Sequence, residues 1–150
     1  MLRAKWVLAG VLVILTLTLH ALDVSYGSFL KITGIERTKG KIILPAERKK
    51  YHNVRILDKD TYRFVKSCQS PCVQEVQTVA VSVSEVRPAK ERPDMWIAIV
   101  AFNQAWQGTF LVFRRGETYQ VKSPANWLFL QRTLKQQTQD AVVSAVKDLK

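Results

Sequence analysis

The sequence predicts an α+β fold: an N-terminal transmembrane helix, then an antiparallel β-rich domain built on a meander, with a C-terminal amphipathic helix packed on the sheet. Three observations carry this expectation. Trp6 to Leu22 is a run of seventeen residues without a charge, preceded by Arg3 and Lys5. Met95 to Lys122 divides at turn residues into three β-rich segments. Downstream of Ser123, large apolar residues recur at helical spacing, among them Trp127, Leu130 and Leu134.

Seventeen residues lie between the h-region of a signal peptide, roughly 7 to 15, and a comfortable membrane span of about 20. A cut after Ala21 is disfavoured by Leu19, and the small residues Ser25 and Gly27 place the alternative cut after Gly27, well beyond Leu22. The anchor is therefore preferred, with Val24, Tyr26, Phe29, Leu30 and Ile32 extending the apolar helix towards the interface. The expected organisation is a cytoplasmic tail over 1–5, a signal anchor over 6–22, a juxtamembrane segment over 23–36 and a periplasmic domain over 37–150. Basic residues before the span and Asp23 after it put the N-terminus in the cytoplasm of a bacterial inner-membrane, single-pass protein. The absence of an Asn-x-Ser/Thr sequon fits a bacterial source. Secretion after cleavage near Gly27 is the alternative.

The chain carries a net charge of +11. Residues 36–66 hold ten Lys and Arg against four acids, whereas 67–150 hold ten against seven. A basic bias next to an anchor suits anionic headgroups, which attract each nearby cation by about 1 kcal/mol. Arg48, Lys49, Lys50, Arg55 and Lys59 are the expected contacts to such a surface. A solvated basic face is the plain alternative.

In chain order, Phe29 to Ile35 reads as a first strand or as the end of the anchor, Gly34 marks a bulge or turn, Thr38 to Gly40 turn, and Lys41 to Leu44 form a strand stopped by Pro45. Asn53 to Leu57 and Thr61 to Ser67 read as two strands of a hairpin around Asp58-Lys59-Asp60. Cys68 and Cys72, the two cysteines of the chain, flank Gln-Ser-Pro and should form a structural disulfide at a tight turn between strands outside the cytoplasm. Three intervening residues and a proline do not match a redox pair, which has two at a helix N-terminus. Cys68, Cys72 and His52 as metal ligands form a thiol or metal-carrier alternative.

Val73 to Val86 reads as one long strand with a bulge at Val76. Met95 to Phe102 is apolar on both faces and belongs at the centre of a sheet covered on both sides. Gly108 to Arg114 and Glu117 to Lys122 complete the meander. Ser123 and Pro124 are expected to open the helix as cap and first residue. Its first half, with Trp127 and Leu130, should pack on the sheet. The thin stripe of Ala141, Val142, Ala145, Val146 and Leu149 is the expected docking surface for a partner.

His52 is the one imidazole of the domain, and no G-x-S-x-G, H-E-x-x-H, Walker or G-x-G-x-x-G string occurs. No enzyme and no cofactor are expected. The expected function is a membrane-anchored envelope adaptor or assembly subunit that recruits other envelope proteins, with self-association open. The second class is a basic binding module for anionic polymers or lipid headgroups. Nucleic acid, for which Tyr51, Tyr62 and Phe64 would be stacking faces, is not an expected partner of an exported domain.

Overall fold

The computed structural model describes residues 21–149, and the tail over 1–5 and the anchor up to His20 lie outside them. Ten strands form two five-stranded sheets, accompanied by two helices. Each sheet is organised in the same way. A long hairpin forms the centre, and the outer edge of its second strand is shared by two short strands.

In sheet 1 the hairpin is β1 (Ala21–Tyr26) with β2 (Leu30–Thr38). β3 (Lys41–Ile43) takes one end of the β2 edge and β10 (Trp127–Phe129) the other. β5 (Cys72–Gln74) adds in parallel on the far side of β1. Residues 21–36, expected as the end of an anchor and a juxtamembrane segment, are thus strands of the domain. Leu22, Val24, Tyr26, Leu30, Ile32 and Ile35 are all buried in its core. Their apolar character comes from alternation towards that core rather than from lipid. Among the described residues no helix is long and apolar enough to cross a membrane.

Gly34 marks a bulge. Leu22 pairs with Ile35 and Val24 with Ile32, so two residues of β2 oppose Asp23 alone. Gly34 has φ +70°, its amide donates to the Asp23 carboxylate at 3.3 Å, and a Cβ there would collide with the Asn126 side chain.

In sheet 2 the hairpin is β7 (Met95–Phe102) with β8 (Trp106–Arg115). β4 (Val54–Ile56) and β9 (Thr118–Lys122) share the free edge of β8, and β6 (Val81–Pro88) flanks β7. The meander and the central position of β7 agree with the sequence reading. Trp106, Phe102 and Phe110 are fully buried. Phe102 and Phe110 meet Trp127 and Phe129 of sheet 1 with ring centroids 5.1 to 6.2 Å apart.

Three expectations change. Thr61 to Ser67 is not a strand but part of helix α1 (Lys59–Ser67), in which Asp58 accepts from the Thr61 amide at 3.1 Å as N-cap and Thr61 and Val65 face the core. Its last carbonyls at Val65, Lys66 and Cys68 receive the Arg37 guanidinium, the closest at 2.6 Å. The long strand over 73–86 is two strands, β5 and β6, and the register shift falls between Val83 and Glu85 rather than at Val76. The C-terminal helix does not open at Ser123. Trp127 to Phe129 pair with β2, and α2 (Arg132–Lys147) begins after Gln131, whose side chain makes no capping bond. α2 buries Leu134, Thr138, Val142 and Val146, packing mainly along β6 and also against β9, β10 and β7.

Candidate functional site: the basic outer face of sheet 2

Strand alternation divides sheet 2 into two faces. Ala98, Val100, Phe102, Phe110 and Val112 point into the core cluster shared with sheet 1 and α2. Met95 and Ile97 point outwards, where a small second cluster gathers Ala89, Tyr51, Leu111 and Phe113 around them. This explains why β7 is apolar on both sides.

Cations surround that outer cluster. Arg87 pairs with Ile97 across β6 and β7, and Lys122 pairs with Leu111 across β9 and β8, so both stand in one cross-strand row. Arg55 pairs with Gln107 two rows away on β8. The Lys50 ammonium lies 5.2 Å from the Tyr51 ring centre and that of Lys122 5.3 Å from the Phe113 ring centre, positions that combine cation–π attraction with stem packing.

At the middle of the face, Lys50, Arg55 and Arg87 line one cleft of about 120 Å³ with Ile97, Ile99, Asn53, Gln107 and Thr109. Its floor is fixed. Asn53 and Thr109 are buried, the Thr109 hydroxyl donates to the Asn53 side-chain oxygen at 2.7 Å, and the Thr109 amide donates to the Asn53 carbonyl at 3.0 Å. Among the described residues the ion pairs are Lys31–Asp23 and Arg87–Glu85, each at 4.0 Å. Lys50 and Arg55 therefore have no carboxylate partner there, and Glu85 offsets part of the charge of Arg87.

His52, next to this loop, is held below its ordinary 6.5 by burial first, then by the charges of Lys122 and Lys49. The neighbourhood is one in which a further positive charge is disfavoured. No family model, no curated protein and no solved structure matches the chain.

Of the five cations read from sequence, the structure brings Lys50 and Arg55 into the cleft. Arg48 and Lys49 line a separate cavity of about 420 Å³ beside Gly34, Glu36 and Asn126. Lys59 lies in a shallow cleft by Ile56, Leu57 and Tyr62. Arg87, Asn53, Gln107 and Thr109 were not anticipated. Thr109 carried a signal, a polar residue in phase with Leu111 and Phe113 on one strand face. Arg87 carried none, because the register shift after Val83 reverses the alternation of β6.

The expected docking stripe of α2 is divided between core and surface. Val142 and Val146 are buried at 0% and 3% exposure, Ala141 and Ala145 are half-buried beside them, and Leu149 is exposed. A cavity of about 640 Å³ lies between α2 and β9 and mixes Tyr119, Val121 and Val143 with Gln136, Gln139, Asp140 and Lys147.

Cys68 and Cys72 form a disulfide, with Cα atoms 5.6 Å apart, on the turn between α1 and β5. With both sulfurs bonded to each other, the set Cys68, Cys72 and His52 is not assembled as metal ligands. Among the described residues no group of three His, Cys, Asp or Glu side chains is placed to hold a metal ion.

Proposed function

We propose that this chain is a non-enzymatic, membrane-held envelope module that lies against anionic headgroups through the outer face of sheet 2. The observation that carries this reading is the convergence of Lys50, Arg55 and Arg87 on one cleft, with Lys122 in the adjoining row. Each cation near an anionic surface contributes about 1 kcal/mol, within a Debye length of about 8 Å at physiological salt. Four such side chains suffice to orient the domain at the bilayer, with the N-terminal apolar segment, where it is retained, adding a tether. Tyr51, Leu111 and Phe113 give the same face an apolar patch suited to the headgroup layer.

Lysine acylation of the purified chain in nanodiscs tests it. Lys50 and Lys122 should be protected in phosphatidylglycerol relative to phosphatidylcholine, and the protection should fade as salt rises. Equal labelling in the two lipids would overturn the reading.

A second reading, recruitment of other envelope proteins, rests on a different place. Ile42, Leu44, Val54 and Ile56 line a cavity of about 440 Å³ between the β3 end of sheet 1 and the β4 end of sheet 2. Leu57 and Tyr62 beside it are 43% and 40% exposed. If a partner docks there, Leu57→Asp with Tyr62→Ser abolishes its capture from solubilised membranes and leaves the lysine protection unchanged.

A further inference from the structure

We infer that the cleft between Lys50, Arg55 and Arg87 is a site for a single tetrahedral oxyanion, a phosphate monoester or free phosphate, rather than one more part of a diffuse basic surface. The inference rests on the membrane-facing reading above and names the group that the face takes.

Size argues for it first. About 120 Å³ is the volume of roughly four water molecules. That admits one small anion, with the remainder of any ester left outside the cleft. The chemistry of the lining agrees. Two guanidinium groups supply planar forks that match two oxygens of one phosphate, and an ammonium supplies a third charge. A phosphodiester carries one charge and two free oxygens, whereas a monoester carries nearly two charges and three. Three cations around one small volume therefore favour the monoester.

The floor of the site is built before the anion arrives, while Lys50, Arg55 and Arg87 stand exposed at its edges. Arg55 and Arg87 enter from opposite sides, on β4 and β6, over a floor of β8 and β7 held by the Thr109–Asn53 bonds. The floor needs no ordering on binding, so the ordering cost falls on the three exposed cationic side chains. Ile97 and Ile99 form an apolar wall, which leaves a place for the carbon side of an ester. Glu85, 4.0 Å from Arg87 and about half exposed, is the acid at the rim. It leaves the cleft with a surplus of positive charge.

The test uses the full chain in a neutral detergent, at constant ionic strength set with chloride. Inorganic phosphate should raise the melting temperature and give saturable heat in calorimetry, with sulfate competing. Arg55→Gln and Arg87→Gln should each weaken phosphate at least tenfold, while Arg132→Gln, on α2, should not. Mixed micelles carrying phosphatidic acid should bind more tightly than those carrying phosphatidylglycerol. A phosphatidic acid affinity well above that of inorganic phosphate assigns the site to a lipid headgroup, and equal affinities assign it to the free anion. No phosphate binding, or binding unchanged by Arg87→Gln, overturns the site even where the nanodisc protection is present. Phosphate binding that depends on Arg87 without nanodisc protection keeps the site and removes the membrane reading.

Discussion

The side-chain amide of Asn103, at the β7–β8 turn of sheet 2, donates to the hydroxyl of Tyr26 in β1 of sheet 1 at 3.0 Å. The same amide donates to the Thr78 carbonyl, and its oxygen accepts from the Ala80 amide, both at 2.7 Å. One side chain thus joins the two sheets and the segment leading into β6. Asn103 also has φ +54°, a conformation that asparagine tolerates better than most residues. Replacing it with alanine should cost roughly 2 to 4 kcal/mol, three bonds at about 1 kcal/mol each plus backbone strain. Tyr26→Phe, which removes one of the three, should cost about 1 kcal/mol. Urea unfolding of both variants checks the ratio, and equal losses would contradict the three-bond account.

Trp127 and Leu130 are predicted to separate sharply. Trp127 is 5% exposed and lies 5.1 Å from the Phe102 ring, while Leu130 is 49% exposed. Trp127→Ala should cost about 3 to 5 kcal/mol and Leu130→Ala well under 1. Thermal melts decide it. A truncation after Gln137 removes Thr138, Val142 and Val146 from the core, so the shortened chain should not fold cooperatively.

What the sequence made legible follows from where its signals are local. β7, β8 and β9 were readable because turn residues separate them and both faces of β7 are apolar. The N-terminal part of the domain was not, because Ala21 and Leu22 end an uncharged run whose length resembles a span. α1 was missed although Asp58 and Thr61 stand at capping distance, since Tyr62, Phe64 and Val65 also suit a strand. β10 was missed because Trp127, Phe129 and Leu130 fit a helical stripe as well as a strand, and only pairing with Leu30 to Ile32 decides between them. The cleft was half legible. Lys50 and Arg55 are close in sequence, whereas Arg87, Gln107 and Thr109 reach it through sheet pairing alone.

The C-terminal end of α1 is held twice, by the disulfide to Cys72 of β5 and by Arg37. Cys68→Ser with Cys72→Ser opens a very short loop and should cost about 2 kcal/mol. Arg37→Gln withdraws a charge from the helix C-terminus, where such a cation contributes about 0.3 to 2 kcal/mol. Because both act on the same end of α1, the combined variant should depart from additivity. Denaturant titration of the single and combined variants measures the coupling, and strict additivity would show that the two act independently.

His52 should make stability depend on pH in one direction. Its folded value lies below 6.5, so between that value and 6.5 the unfolded chain binds more protons than the folded one. Stability is then present in full above about pH 6.5 and is lost as pH falls through the folded value. His52→Asn keeps a residue tolerant of φ +73° and removes the titration. Between pH 7.5 and pH 5 the wild type should lose more stability than this variant. Equal losses would place the acid sensitivity elsewhere.

The position of β1 bears on how the N-terminus is processed. β1 lies inside sheet 1, between β2 and β5, and Leu22, Val24 and Tyr26 are at most 5% exposed. A cut after Gly27 would remove that whole strand, open the ladders to β2 and β5 and take three core side chains with it. Losing even one buried Leu of this kind costs about 2 to 5 kcal/mol, a large share of a domain's stability. Secretion by cleavage near Gly27 is therefore incompatible with this fold. Counting to the start of β1, the uncharged segment Trp6 to His20 is fifteen residues, the upper end of a signal-peptide h-region and shorter than most spans. Every N-terminus compatible with the sheet lies at or before Leu22. Intact-mass measurement of the chain purified from its host should find it there, with Met1 or Leu2 for an anchor and Leu22 for a released domain. Deletion of 21–27 should abolish the cooperative melt. A folded product beginning at Ser28 would show that β1 is dispensable and would sink the argument.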